Sequence, residues 1–143
     1  MKKIVIGFGT GRTGSVTLSK LLNSCKNVNV NVSHEWRERN DKDYRLSWDY
    51  NYKEISNRLM KLDNLKGQLV GDVAHFYLPY INDLNMFFLK NIKFIYLERD
   101  VEETVKSFMK KSKNWCHWIP SDSEVFKKNN YKAISWARAF PKY

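Results

Sequence analysis

At 143 residues with 43% hydrophobic and 15% aromatic content, the chain can bury one sizeable core but hardly two, so a single domain over 1–143 is expected. Lys and Arg total 25 against 15 Asp and Glu, and the formal charge of +10 favours anionic partners such as nucleotides, nucleic acid, sulfated or phosphorylated compounds, or acidic membranes. Cys25 and Cys116 form no CxxC pair and no Cys/His cluster at zinc spacing, so neither a disulfide framework nor a structural metal is suggested and a reducing cytoplasm is the expected home.

The apolar run Ile4 to Phe8 follows Lys2 and Lys3 but enters glycines too soon for a signal peptide. Ile4-Val5-Ile6 reads instead as a first strand. A helix follows with Leu18, Leu21 and Leu22 on one face, and Val28 to Val32 alternates as a second, half-exposed strand. Residues 35–53 are polar, aromatic and charged, and read as one long functional loop. Ile55, Leu59 and Leu62 mark an amphipathic helix, Gln68 to Val73 a third strand, and Ile81, Leu84 and Phe88 another helix face. Ile92 to Leu97 is the most strand-like run; beyond it Val101, Val105, Phe108 and Met109 share a helical face. The "SDSE" of Ser121 to Glu124 reads as a capping box opening a last helix. Strands alternating with helices predict an α/β fold with a central, mainly parallel β-sheet flanked by helices. No segment reaches the length of a membrane span.

"GFGTGRTGSVTL", Gly7 to Leu18, lies between the first strand and the first helix. In that arrangement loop N–H groups and the helix N-terminus converge on one point and form an anion site. Gly9 and Gly14 have the separation of the two glycines in the GxxxxGK[ST] phosphate loop, but Ser15 stands where that loop has lysine. The missing cation is assigned to Arg12, whose guanidinium can grip phosphate oxygens in pairs, with the hydroxyls of Thr13, Ser15 and Thr17 as further donors. Gly9, Gly11 and Gly14 also satisfy GxGxxG. The dinucleotide reading is the weaker one, because the acidic residue it requires near the end of the second strand is displaced to Glu35.

The segment Gly9 to Leu18 resembles the 5'-phosphosulfate loop of sulfotransferases that use 3'-phosphoadenosine 5'-phosphosulfate (PAPS), in which Lys or Arg from inside the loop replaces the usual lysine. A second match is "FIYLERDVEETVKSF", Phe94 to Phe108, where family members carry an arginine at a strand end and a serine two helical turns later, both binding the 3'-phosphate. Arg99 and Ser107 stand at that spacing. The resemblance runs in outline from Met1 to about Lys111. It implies a three-layer P-loop-like fold, PAPS as donor with Gly11, Arg12, Thr13, Gly14, Ser15, Thr17, Arg99 and Ser107 binding it, no metal, and a sulfuryl acceptor that is a hydroxyl or amine of a carbohydrate or small molecule. Family domains are usually longer and cover the 3'-phosphate with a C-terminal basic loop containing a glycine. The ending "ISWARAFPKY" has neither, so a short or truncated member is implied, its donor pocket incomplete or completed in a homo-oligomer.

Sulfuryl transfer needs a base for the acceptor proton and a cation for the leaving phosphate. Arg12 is the candidate cation. Two positions compete as base. His75, in "LVGDVAHFYLP", aligns with the histidine of small-molecule sulfotransferases, although Val73 replaces their lysine; Glu35, in "SHEWRE", stands where carbohydrate sulfotransferases place a glutamate. His34 is beside it, and strand alternation lets only one of His34 and Glu35 face the donor. Asp72 is a further orienting candidate, and Trp115, Trp118 and Trp136 are candidates for stacking on a planar base. A P-loop kinase would require the lysine that Ser15 replaces, with Asp72 as its magnesium carboxylate. A nucleic-acid-binding module would explain the charge, but the basic residues are dispersed and no recognition motif accompanies them, so no nucleic acid partner is expected. An inactive relative that only binds PAPS is the remaining alternative.

Overall fold

The computed structural model describes residues 2–36, 45–111, 122–132 and 137–140. Four strands form one sheet: β1 (Lys3–Gly9), β2 (Val30–His34), β3 (Leu69–Val73) and β4 (Ile92–Leu97). The order is β2-β3-β1-β4 and every pairing is parallel. Parallel neighbours need crossovers, and these are α1 (Ser15–Asn23), α2 (Tyr52–Asn64) and α3 (Ile81–Phe88), with α4 (Val101–Lys111) and α5 (Glu124–Lys128) following.

Alternation along β1 sorts the helices into layers. Val5 joins Val32 and Val73 on the face where Leu18 and Leu22 of α1 pack. Ile4, Ile6 and Phe8 join Val70 on the other face, against Ile55, Leu59 and Leu62 of α2 and Leu84 and Phe88 of α3. The result is a three-layer α/β fold. Gly7 lets α1 approach: a Cβ there would sit 2.9 Å from Leu18 Cδ2.

Several boundaries differ from the sequence reading. β2 begins at Val30, not Val28, because the Asn29 carbonyl accepts from the Gln68 and Leu69 N–H groups and the Asn29 N–H donates to the Gln68 side chain, which makes Asn29 a turn anchor ahead of the strand. On α1, Leu21 is exposed while Ser19 is buried, donating to the Val32 carbonyl. The α4 apolar stripe is turned outward: Val101, Val105 and Met109 are exposed, and Thr104, Ser107 and Phe108 face the protein instead. The last helix is capped by Ser123, two residues inside the expected box, its hydroxyl accepting from the Phe126 N–H. Of the 35–53 loop, 37–44 lies outside the described residues, as do Trp115, Cys116, Trp118 and Trp136. Among the described residues no helix is long and apolar enough to cross a membrane.

Candidate functional site

The candidate residues come from all four strand ends. Gly9 closes β1, His34 closes β2, His75 follows β3 and Arg99 follows β4. In a parallel sheet these ends lie on one edge, where α/β proteins bind ligands. α1 leaves the edge towards one face, while the chain after β3 enters a 3₁₀ turn, His75–Tyr80, that packs on the other. The crevice between β1 and β3 is therefore a topological switch point.

The glycine loop is wound in left-handed backbone, with φ of 86° at Gly11, 57° at Arg12 and 98° at Gly14. For Arg12 this conformation costs roughly 1–2 kcal/mol, so the surrounding structure must hold it. Arg12 is pinned from the β4 side: its Nε donates to Ser107 Oγ at 3.1 Å, and its carbonyl accepts from Arg99 Nη1 at 3.1 Å. Among the described residues, Nε is the only guanidinium nitrogen of Arg12 that is hydrogen-bonded, and the side chain is exposed. Phe108, one residue on from Ser107, lies 3.2 Å from the position a Cβ on Gly11 would take. Arg99 precedes α4 and folds back over its first turn, also pairing with Glu103 at 3.0 Å. Exposed pairs of this kind are worth about 0–1 kcal/mol, so Glu103 holds Arg99 only weakly.

On the other side of the loop, Ser15 opens α1, whose N-cap Gly14 provides no side-chain cap. Ser15 Oγ lies 2.9 Å from His34 Nε2. Thr13 is half-buried, its Oγ1 2.6 Å from where a Gly9 Cβ would sit, and Thr17 is exposed on the first turn of α1. Thus Arg12, Ser15, His34, Arg99 and Ser107 are drawn around one loop by contacts spanning up to 95 residues of sequence.

Glu35 and His75, the competing bases, are brought together. Glu35 adopts φ 49°, which ends the alternation of β2. His34 therefore turns to Ser15, and Glu35 turns to His75 Nδ1 at 4.0 Å and Arg45 Nη2 at 3.7 Å. His75 is buried beneath Phe140, the rings stacked at 4.3 Å, whereas Glu35 keeps 21% of its side chain exposed. Glu35 is thus the more solvent-accessible of the two.

Below this pair lies a buried polar node. Asp72 is fully buried and accepts from Ser33 Oγ at 2.8 Å, Tyr77 Oη at 2.9 Å and the Trp36 N–H at 3.1 Å, with Arg58 Nη1 at 3.6 Å. Burial raises the Asp72 carboxyl above its ordinary value, opposed by the Arg58 charge and the donors. Burial, then the Asp72 charge, pushes the Tyr77 phenol well above its ordinary value and keeps it a donor. Asp72 grips the chain at Ser33 and Trp36, on either side of His34 and Glu35, and so orients both. Its oxygens are occupied within the protein, which is not the arrangement of a magnesium ligand facing a nucleotide. A scan against protein-family models matched nothing, nor did a search of curated proteins.

Arg58 does leave a sequence signal, being a charge on the Ile55, Leu59, Leu62 face of α2. Arg45 and Phe140 leave none, since each reaches the site from a non-periodic segment.

Proposed function

We propose that the protein is a PAPS-dependent sulfotransferase with a P-loop-like donor site. The observation that carries this reading is the convergence on Arg12: Ser107 binds its side chain and Arg99 its carbonyl. The two segments that the resemblance assigns to opposite ends of the donor molecule meet at one residue. Gly11, Thr13, Gly14, Ser15 and Thr17 present N–H groups and hydroxyls to the 5'-phosphosulfate, and Arg99 and Ser107 take the 3'-phosphate. Glu35 accepts the proton of the acceptor hydroxyl as that oxygen bonds to sulfur and the sulfur bond to the phosphate oxygen breaks. Arg12 takes up the charge that accumulates on the departing phosphate. His75 holds Glu35 in place from beneath, and the acceptor class is a carbohydrate or small-molecule hydroxyl. The dispersed positive charge draws the anionic donor in, and a soluble cytoplasmic setting fits the reading.

The test is calorimetric titration with adenosine 3',5'-bisphosphate, the desulfated donor, against magnesium-ATP. Saturable binding of the bisphosphate is expected, weakened about tenfold or more in Arg99→Ala and Ser107→Ala, the loss usual for one hydrogen bond to a charged group. Preference for magnesium-ATP, or equal binding by the variants, would overturn the reading.

A further inference from the structure

Ser15 belongs to the donor loop proposed above, but its partner His34 has no role in that reaction. Ser15 occupies the position where a nucleotide-binding loop carries its lysine, and it is the first residue of a nine-residue helix without a side-chain cap. Its hydroxyl lies 2.9 Å from Nε2 of a histidine on a different strand. A serine hydroxyl has one hydrogen to give and two lone pairs. In the neutral tautomer that carries its hydrogen on Nδ1, Nε2 accepts the serine hydrogen, which is then turned away from the loop. When a proton from solvent binds Nε2, the bond reverses: Nε2–H donates to Ser15 Oγ, and the serine hydrogen is released to point into the loop.

We propose that His34 is the proton-operated second cation of the anion loop, acting through Ser15, so that anion binding at Gly11 to Ser15 takes up a proton. The inference rests on the reading of the loop as the donor's 5' site. Arg12 alone offers one positive charge to a group carrying about two negative charges, and a protonated His34 one hydrogen bond behind Ser15 supplies the second. A bound anion stabilises imidazolium over imidazole, so anion binding and protonation of the pair favour each other. Affinity is therefore higher at low pH than at high pH.

The ionisable groups on the elements around His34 do not cancel this effect. Lys20 is the only one on α1 and is exposed. Asp72 is the only one on β3 and is taken up by Ser33, Trp36, Tyr77 and Arg58. Glu35, next in the chain, is turned to His75 and Arg45, and Arg12 is tied to Ser107.

The experiment is titration of the full chain with adenosine 3',5'-bisphosphate at pH 6 and pH 8, values that bracket an ordinary histidine. Each is run in two buffers of different ionisation heat, so that the buffer difference counts protons taken up. Wild type, His34→Gln and Ser15→Ala are compared, because glutamine keeps a donor towards Ser15 but cannot titrate. The ligand's own phosphate titration cancels in the ratio of wild type to His34→Gln. Wild type is expected to take up about half a proton more than His34→Gln on binding near pH 7. Its affinity relative to His34→Gln should rise about tenfold from pH 8 to pH 6, and Ser15→Ala should lose the rise. Bisphosphate binding without that excess proton uptake and with a flat ratio overturns this inference and leaves the donor site standing. Absence of binding at both pH values overturns both. Because the bisphosphate's own phosphates also exchange protons on binding, the proton count is read as the difference between wild type and His34→Gln, and Ser15→Ala gives a second, independent comparison.

Discussion

Asp72 and Arg58 show how much one buried pair can control. Removing one partner of a buried ion pair typically costs about 3–5 kcal/mol, because the other charge is left without compensation. Arg58→Met should therefore destabilise strongly at pH 7, and so should Asp72→Asn, which strands the guanidinium beside Trp36, Phe76 and Tyr77. The double variant should cost much less than the sum. The pH dependence has a definite sign. The folded-state pKa of Asp72 is raised from 3.8 despite the lowering by Arg58, so its contribution to stability is full below about 3.8 and is lost as pH rises through the raised value. Without Arg58 that loss deepens. The destabilisation by Arg58→Met, measured by urea unfolding, should thus be largest at neutral pH and shrink towards pH 4. Equal cost at both pH values would mean that Arg58 stabilises through its packing and not its charge.

At the scale of the element, what could be read in advance followed the range of the forces involved. β4 occupies the predicted Ile92 to Leu97, and α2 buries the predicted Ile55, Leu59 and Leu62, because apolar periodicity records which face meets the core. Periodicity cannot say which of two faces a helix turns inward when both hold apolar side chains. On α4 the contacts of Ser107 and Phe108 with the loop decide, and the Val101, Val105, Met109 stripe faces out. The glycine loop was legible because its chemistry is local. The approach of Glu35 to His75 and Arg45, with Phe140 stacked on His75, was not, because it depends on one left-handed residue after β2 and on non-periodic segments elsewhere in the chain. The start of α2 is local again. The Asn51 side chain accepts from the Glu54 N–H at 3.2 Å and donates to Glu54 Oε1 at 3.1 Å, and Glu54 in turn holds the Ser47 N–H and Arg138. Asn51→Ala should cost about 1 kcal/mol of cap energy and loosen the 45–51 segment beside Glu35. Chemical denaturation gives the first effect and amide exchange of Ser47 and Trp48 the second. Unchanged exchange would separate the cap from the site.

For the whole molecule, the charge of +10 admits two classes of anionic partner that salt can tell apart. A small nucleotide held by Arg12, Arg99 and a helix N-terminus engages few phosphates, and its affinity is expected to change only modestly between 50 and 200 mM salt. A polyanion laid across a basic surface displaces a counterion for each phosphate neutralised, and with six to ten contacts its affinity falls by about 10³–10⁵ over that range. The arginines nearest the loop and node are already engaged: Arg12 with Ser107, Arg99 with Glu103, Arg58 with Asp72 and Arg138 with Glu54. Bisphosphate binding should therefore show the shallow dependence, while a single-stranded oligonucleotide of about 20 nucleotides should bind weakly and without saturation near 150 mM salt. If the oligonucleotide instead bound tightly and with a steep slope, and the bisphosphate failed to compete with it, the charge would serve a nucleic-acid surface and the loop would not be where the protein meets its anion.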